Sequence, residues 1–273
     1  MNAQAPKYVK AVFMDWAGTI VDYGCFSPVD VFIEVFRRKG IEVTPEEARE
    51  PMGLQKWDHI KEMCKIDRIA NLWKQKYGRM PHDKDVDELY ADFEPLLISI
   101  LPKYSKPIPG SVELVERLRK MGLKIGSTTG FTRKMMEVVA PVAKKHGCSP
   151  DLIVTSDEMP AGRPYPWMIF QNAMTLGVYP LKHTIKVGDS ISDIKEGKNA
   201  GTWTVGVIKG GNELGMTEQE INQCDPDILA DKMEAVEKKF KEAGANYVIE
   251  SIGQLDEIIP KIDDRISQLE GDV

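Results

Sequence analysis

Four cysteines are present in 273 residues, Cys25, Cys64, Cys148 and Cys224, and no two stand close enough to form a CxxC pair. With only four histidines and none at zinc-ligand spacing, a structural zinc site is excluded, and reduced thiols in a cytoplasmic protein are expected. No stretch approaches the about 18 consecutive apolar residues of a membrane span, and the N-terminal MNAQAPKYVK has no signal-peptide apolar region. The chain is also short of any basic block. Its formal net charge is −6, with Lys and Arg scattered, so nucleic acid and anionic membrane are excluded as main partners while a local pocket for a small anion stays open. There is no internal repeat and no low-complexity segment.

What remains is the pattern of an α/β protein. Lys10 to Met14 forms a short apolar run closed by Asp15 and a turn of small residues, the signature of a buried strand end. From about Pro28 to Tyr104 the period changes. VDVFIEVFRRKG, LQKWDHIKEMCK and VDELYADFEPLLISIL are helical, and Thr44-Pro45-Glu46-Glu47 carries a helix start. After KPIPG (Lys106 to Gly110), helices alternate with strands at LKIGS, DLIVT, TIKVGD, TWTVGV and YVIES, before a C-terminal amphipathic helix. The expectation is a doubly wound, Rossmann-like parallel sheet formed by residues 1–24 and 105–273, with residues 25–104 inserted as an α-helical cap over its carboxyl edge.

Three strand ends carry chemistry toward that edge: Asp15-Trp16-Ala17-Gly18-Thr19, Ser127-Thr128-Thr129-Gly130 and Gly188-Asp189-Ser190-Ile191-Ser192-Asp193. Arg163, in Ala161-Gly162-Arg163-Pro164, adds a cation. Taken singly each has an ordinary explanation: an Asp or Ser after a strand caps the next helix, a Thr before Gly is turn chemistry, and an Arg is usually on the surface. Together, two carboxylates from separate strand ends and a backbone carbonyl suit an octahedral Mg²⁺, and a hydroxyl with a guanidinium suits phosphoryl oxygens.

These motifs, in this order and with the insert after the first strand, resemble the haloacid dehalogenase-like hydrolase superfamily. The resemblance implies that Asp15 is a nucleophile forming an acyl-phosphate, and that Asp15, the Ala17 carbonyl and Asp189 bind Mg²⁺, with Asp193 anchoring a metal-bound water. It implies that Thr129 and Arg163 hold the phosphoryl group, Arg163 standing where many members carry Lys. Members that cleave phosphate esters have a second Asp two residues after the first, to protonate the leaving alkoxide. This chain has Ala17 there.

The insert supplies a candidate replacement in Pro51-Met52-Gly53-Leu54-Gln55-Lys56-Trp57-Asp58-His59. A helix over 54–65 puts Lys56, His59 and Met63 on one stripe and Trp57, Ile60 and Cys64 on another. A lysine on an amphipathic helix is ordinarily solvated. DWAGT combined with MGLxKxDH, however, closely resembles the phosphonatase (phosphonoacetaldehyde hydrolase) branch, as do Cys25 and the following Phe-Ser-Pro. That resemblance makes Lys56 a Schiff-base lysine and implies a homodimer. Met52, Gly53 and Cys25 join the substrate-binding set, and Phe131 stands where a tyrosine also fits. Expelling a carbanion from a C–P bond needs an electron sink, which an iminium provides and a carboxylic acid does not. The amine must then be neutral, and lowering a lysine from about 10.4 to about 7 takes about 4–5 kcal/mol. His59, one turn on, is the candidate proton relay. A capped phosphatase or phosphomutase, a dehalogenase and a silent partner-binding relative are the competing readings.

Overall fold

The computed structural model describes residues 5–271, so the first four residues of the N-terminal stretch and the last two of the chain lie outside it. Six parallel strands form one sheet in the order β3-β2-β1-β4-β5-β6. They are β1 (Ala11–Met14), β2 (Lys124–Thr129), β3 (Leu152–Thr155), β4 (Thr184–Gly188), β5 (Trp203–Val207) and β6 (Tyr247–Ile249). All six coincide with the anticipated runs to within a few residues. The order places β1 at the centre, between β2 and β4, where the winding reverses and where such sheets bind ligands.

Alternation along β1 explains the two layers of helices. Val12 and Met14 face one way, into the cluster containing Leu114 and Leu118 of α6 (Ser111–Lys120) and Ile259 and Ile262 of α12 (Leu255–Gly271). Ala11 and Phe13 face the other, against Ile169 and Ala173 of α8 (Trp167–Leu176) and Ala200 of α9 (Ile191–Ala200). All four β1 side chains are buried, as a central strand covered on both faces requires. α7 (Arg133–Lys145) follows β2. Beyond β5 lie α10 (Glu218–Gln223) and α11 (Pro226–Ala243), the latter burying only Val236 and Phe240, a largely solvated face.

Between β1 and α6 run five helices: α1 (Phe26–Arg38), α2 (Pro45–Arg49), α3 (Lys56–Lys65), α4 (Asp67–Tyr77) and α5 (Asp83–Tyr104). α2 opens with the expected capping box, Thr44 Oγ1 accepting from Glu47 N and Glu47 accepting from Thr44 N. α4 and α10 were not among the segments read from the sequence. On α3, Ile60 and Cys64 are buried as expected, whereas Trp57 is half-buried and donates from its indole to Asp87 at 2.8 Å.

A buried charge cluster lies between the sheet and α9. Lys186, paired in register with Phe13 and fully buried, reaches Asp193 at 2.7 Å and Glu196 at 3.4 Å and donates to Thr128 Oγ1. Glu196 also accepts from Arg163 Nε at 2.9 Å and Thr128 Oγ1 at 3.0 Å. Removing this carboxylate takes one charged partner from Lys186, which keeps Asp193, and one from Arg163, which keeps Asp15 and Asp193, and it leaves the Thr128 hydroxyl without its acceptor. Glu196→Ala should therefore lower unfolding free energy by about 2 kcal/mol. Urea denaturation checks this, and a loss below about 1 kcal/mol would contradict a role for Glu196 in holding the cluster.

Candidate active site

The C-terminal ends of β1, β2 and β4, together with the turn before α3, enclose a cavity lined by Asp15, Ala17, Cys25, Met52, Gly53, Lys56, Thr129, Gly130, Phe131, Arg163, Asp189 and Ser190. Every sequence-derived candidate except His59 and Asp193 lines it. Its volume is about 20 Å³, room for about one water. As it stands the cavity is too small for a substrate of several heavy atoms.

Two turns set the closeness of the parts. Gly18 (φ +84) lies against Asp189: a Cβ there would come within 2.1 Å of Asp189 Oδ2. Gly53 (φ +88) does the same across the seam, where a Cβ would meet Ser192 Oγ at 1.9 Å. Ser192 Oγ donates to the Met52 carbonyl at 2.8 Å, tying the segment before α3 to the start of α9.

Asp15, Asp189 and Asp193 are buried and offer oxygens all within 4.8 Å of one another. Asp189 accepts from Thr19 Oγ1 at 2.7 Å and from Asn212 N at 2.8 Å. Ser190, not Asp189, is the N-cap of α9, and its capping box with Asp193 fixes that carboxylate. Arg163 is 4% exposed and spans the group: Nη2 donates to Asp15 Oδ1 and Thr128 O, each at 2.8 Å, while Nη1 lies 3.1 Å from Asp193 Oδ1. Burial opposes its charge, yet the carboxylates of Asp15, Asp193 and Glu196 hold its pKa well above the ordinary value.

Counting formal charges tests the site for a metal. Arg163 and Lys186 supply two positive charges, against four carboxylates from Asp15, Asp189, Asp193 and Glu196. The surplus of two negative charges is that of one divalent cation. Burial, followed by the charges of Asp15 and Asp193, pushes the Asp189 carboxyl far up. All-oxygen donors, net charge and mutual repulsion all fit Mg²⁺. Thr129 Oγ1 accepts from Phe131 N at 3.0 Å, leaving its own hydrogen to donate.

Lys56 is the unusual cation. It begins α3, is 3% exposed, and its amine makes no hydrogen bond or ion pair among the described residues. Nζ lies 5.1 Å from the centre of the Phe131 ring and 5.7 Å from that of Phe32. The rings favour an ammonium slightly, but burial outweighs them, with Arg163 adding to it and Cys25, Asp15 and Asp22 opposing, and lowers its pKa. The group gains its neutral form as pH rises. A reaction that uses this amine as a nucleophile should show an acidic limb in kcat/KM whose midpoint lies below the ordinary lysine value, activity falling as pH drops through it. A pH–rate profile checks this; a limb at or above about 10.4 would contradict it.

His59 is fully buried behind Lys56. Its Nε2 lies 2.9 Å from the Ala48 carbonyl, which can only accept, and the ring stacks on Phe32 at 3.9 Å. Burial and then the Lys56 charge depress its pKa far below 6.5, so the ring is neutral and Nδ1, without a hydrogen-bond partner among the described residues, holds a free lone pair. Cys25 sits at φ +53, its thiol pKa driven up by burial and by the Asp189 and Asp22 carboxylates. Asp22 is buried too. Burial raises its pKa to about 6, against donation from Ser27 Oγ, Ser27 N and Phe26 N at the start of α1.

The sequence does not single out Asp22, Lys186, Glu196 or Asn212, and it gives Thr128 only as part of the strand-end motif without a role of its own. Only Lys186 left a mark, a lysine inside the apolar strand TIKVG, and Glu196 is one turn from Asp193 on the same helix face.

Comparison with known proteins gives concordant results. A family model described as haloacid dehalogenase-like hydrolase matches residues 9–201. The bifunctional phosphonoacetaldehyde hydrolase/aminoethylphosphonate transaminase of Clostridioides difficile is 58% identical over 255 residues, which are 93% of this chain and 40% of that one. The phosphonoacetaldehyde hydrolase of Bacillus cytotoxicus is 54% identical over 255 residues, 93% of this chain and 97% of the relative. Among solved structures, a phosphonoacetaldehyde hydrolase-like protein from Oleispira antarctica superposes with a TM-score of 0.94 at 37% identity, covering 98% of this chain and 97% of the other. With its central-strand aspartate, its three-carboxylate site and a 54% identical phosphonoacetaldehyde hydrolase matched along 97% of its length, the chain belongs to the haloacid dehalogenase-like hydrolases, within their phosphonoacetaldehyde hydrolase branch.

Proposed function

We propose that this protein hydrolyses the carbon–phosphorus bond of phosphonoacetaldehyde to acetaldehyde and phosphate, through a Schiff base on Lys56 and an aspartyl-phosphate on Asp15. The observation that carries this reading is a pairing: Ala17 stands where an ester phosphatase needs an acid, and a buried lysine with no counterion faces the same cavity as Asp15.

The neutral Lys56 amine adds to the aldehyde carbon, and loss of water gives an imine that is protonated to the iminium. An Asp15 oxygen then attacks phosphorus. The C–P bond breaks, its electron pair moves into the C=N⁺ unit, and the product is an enamine on Lys56 beside an acyl-phosphate on Asp15. Protonation of the enamine carbon restores an iminium. One water releases acetaldehyde from Lys56, and another releases phosphate from Asp15. His59 Nδ1, the free lone pair one helical turn from Lys56, is the base proposed to shuttle protons during carbinolamine formation and dehydration. Arg163 and the Thr129 hydroxyl hold phosphoryl oxygens, while Met52, Gly53 and Cys25 close the pocket against water. Asp15, the Ala17 carbonyl and Asp189 would hold Mg²⁺, with Asp193 behind them. When bound, the ion neutralises charge on the phosphoryl oxygens.

Residues 25–104 are taken to move as one cap, since the 20 Å³ cavity must open to admit substrate. The protein is proposed to act as a cytoplasmic homodimer on this small molecule. No described helix is long and apolar enough to cross a membrane.

Phosphorus NMR of the purified protein with Mg²⁺ tests the reading. Phosphonoacetaldehyde should be consumed with stoichiometric orthophosphate and acetaldehyde, and small phosphate esters should react at least about 10³-fold more slowly. Ester hydrolysis with no turnover of the phosphonate would instead make the protein a capped phosphatase.

A further inference from the structure

The cap segment that leads to Lys56 is fastened to the core at its start. Arg49, the last residue of α2, is half-buried and forms no ion pair among the described residues, although Glu46 and Glu50 stand near it in the chain. Its Nη1 donates instead to two neutral acceptors, Gly24 O at 2.7 Å and Asn212 Oδ1 at 3.2 Å. Asn212 returns the contact, its Nδ2 donating to Arg49 O at 3.3 Å. The guanidinium also lies over the Phe26 ring, 4.8 Å from its centre. Gly215 (φ +62) lets the loop after β5 come this close, since a Cβ there would stand 2.9 Å from Arg49 Nε.

Each partner in this clasp is itself tied down. Asn212 is buried, and its backbone N–H is the one that donates to Asp189. Gly24 N donates to Gly210 O at 2.7 Å, so the chain leaving the core for the cap is bound to the same loop, residues 208–216. The Arg49 carbonyl that receives Asn212 also accepts from Met52 N at 3.0 Å, and Met52 O accepts from Ser192 Oγ. Beyond it the segment lies flat on the end of β2, where a Cβ on Gly130 would come within 2.5 Å of Leu54 O. Two residues later Lys56 begins α3. A second cap–core contact, Glu94 of α5 with Lys134 of α7 at 2.9 Å, has side chains 23% and 63% exposed and is an ordinary surface pair.

We propose that Arg49 is a positioning residue for the reaction: its clasp with Asn212 docks the segment before α3 onto the loop that also holds Asp189, and so sets where Lys56 stands relative to Asp15. The inference rests on the Schiff-base reading above, because there the amine and the phosphorus nucleophile must both reach one small substrate. That geometry is demanding, and a displacement of about 1 Å can cost about 100-fold in rate. Arg163 and Thr129, which hold the phosphoryl oxygens, make no bond to Arg49 or Asn212. Loss of the clasp therefore falls on kcat and spares KM.

Hydrogen–deuterium exchange of the full chain, read on peptides covering residues 50–56 and 11–15, is the test, with steady-state kinetics on the same samples. Arg49→Met and Asn212→Ala should each speed exchange over 50–56 by about tenfold and leave 11–15 in β1 unchanged. Each should lower kcat for phosphonoacetaldehyde by about 30-fold while KM moves less than about threefold. The two residues act through each other, so the double variant should be no slower than the worse single one. Arg49→Lys, which keeps one donor for the Gly24 carbonyl, should recover part of the loss, and Lys134→Met should stay within about twofold of wild type. Unchanged exchange over 50–56, or faster exchange shared equally by 11–15, overturns the clasp as a local device. Faster exchange with full kcat, or a loss confined to KM, overturns the placing of Lys56, and multiplied losses in the double variant overturn the pairing. Exchange needs no substrate, so a wild type inactive on phosphonoacetaldehyde overturns the proposed function while exchange over 50–56 still decides the clasp.

Discussion

Lys56→Met is expected to abolish turnover of phosphonoacetaldehyde, lowering kcat/KM by about 10⁴-fold or more, and at the same time to stabilise the protein by about 1–2 kcal/mol. The loss follows because no other side chain lining the cavity is an amine, and without an iminium the electrons of the C–P bond have no acceptor. The gain follows from burial. The Lys56 ammonium is 3% exposed with no counterion or acceptor among the described residues, and its pKa is lowered on folding. The unfolded chain therefore binds more protons than the folded one between the lowered value and 10.5, so the wild type loses stability as pH falls through that window. Methionine fills similar space without a charge to desolvate, so its gain is present at neutral pH and shrinks as pH approaches 10.5. Steady-state kinetics and urea denaturation at two pH values read both effects. Lys56→Arg should also be inactive, since a guanidinium forms no Schiff base here, while keeping the carboxylate site able to bind Mg²⁺.

Asp15→Asn is the second large effect, and it separates the two covalent events. The carboxamide is no nucleophile toward phosphorus, so kcat should fall by about 10⁴-fold or more. Lys56 lies on α3, across the cavity from the end of β1, and should still condense with the aldehyde. The fold should tolerate the change. Arg163 loses one partner but keeps Asp193 and Glu196, and Asp189 is relieved of the neighbouring Asp15 charge. Phosphate release and borohydride trapping, measured on the same sample, check it. An Asp15→Asn variant releasing phosphate at a rate near wild type would remove Asp15 from the chemistry.

Much of this was legible before the fold was known, because the chemistry sits at strand ends that sequence marks sharply. An apolar run that stops at Asp15, a Thr pair before Gly130 and the GDSxxD turn each announce a boundary, and the sheet gathers them at one edge. Strand order was not legible: that β1 lies between β2 and β4 depends on how the helices pack, not on local pattern. α4 was missed because only Ile69, Ala70 and Trp73 are buried along its eleven residues, too sparse a stripe to count. α10 is too short to show a period. The Lys186–Glu196–Arg163 cluster escaped for a different reason. A charge reads as surface until its partners are known, and here they come from a strand, a helix and a loop far apart in the chain. His59 is read from the sequence as a candidate proton relay, and helical spacing does put it on the same stripe as Lys56. Spacing could not show that the ring lies behind the amine, bonded to Ala48 and stacked on Phe32.

The central claim is that the acid missing at Ala17 is replaced by an amine at Lys56. Incubation with phosphonoacetaldehyde and borohydride, followed by peptide mass mapping, tests it most directly. The account predicts a reduced adduct on the peptide containing Lys56, in wild type and in Asp15→Asn, and none in Lys56→Met. An active enzyme that carries no adduct at Lys56, or carries it on another lysine, would contradict the account.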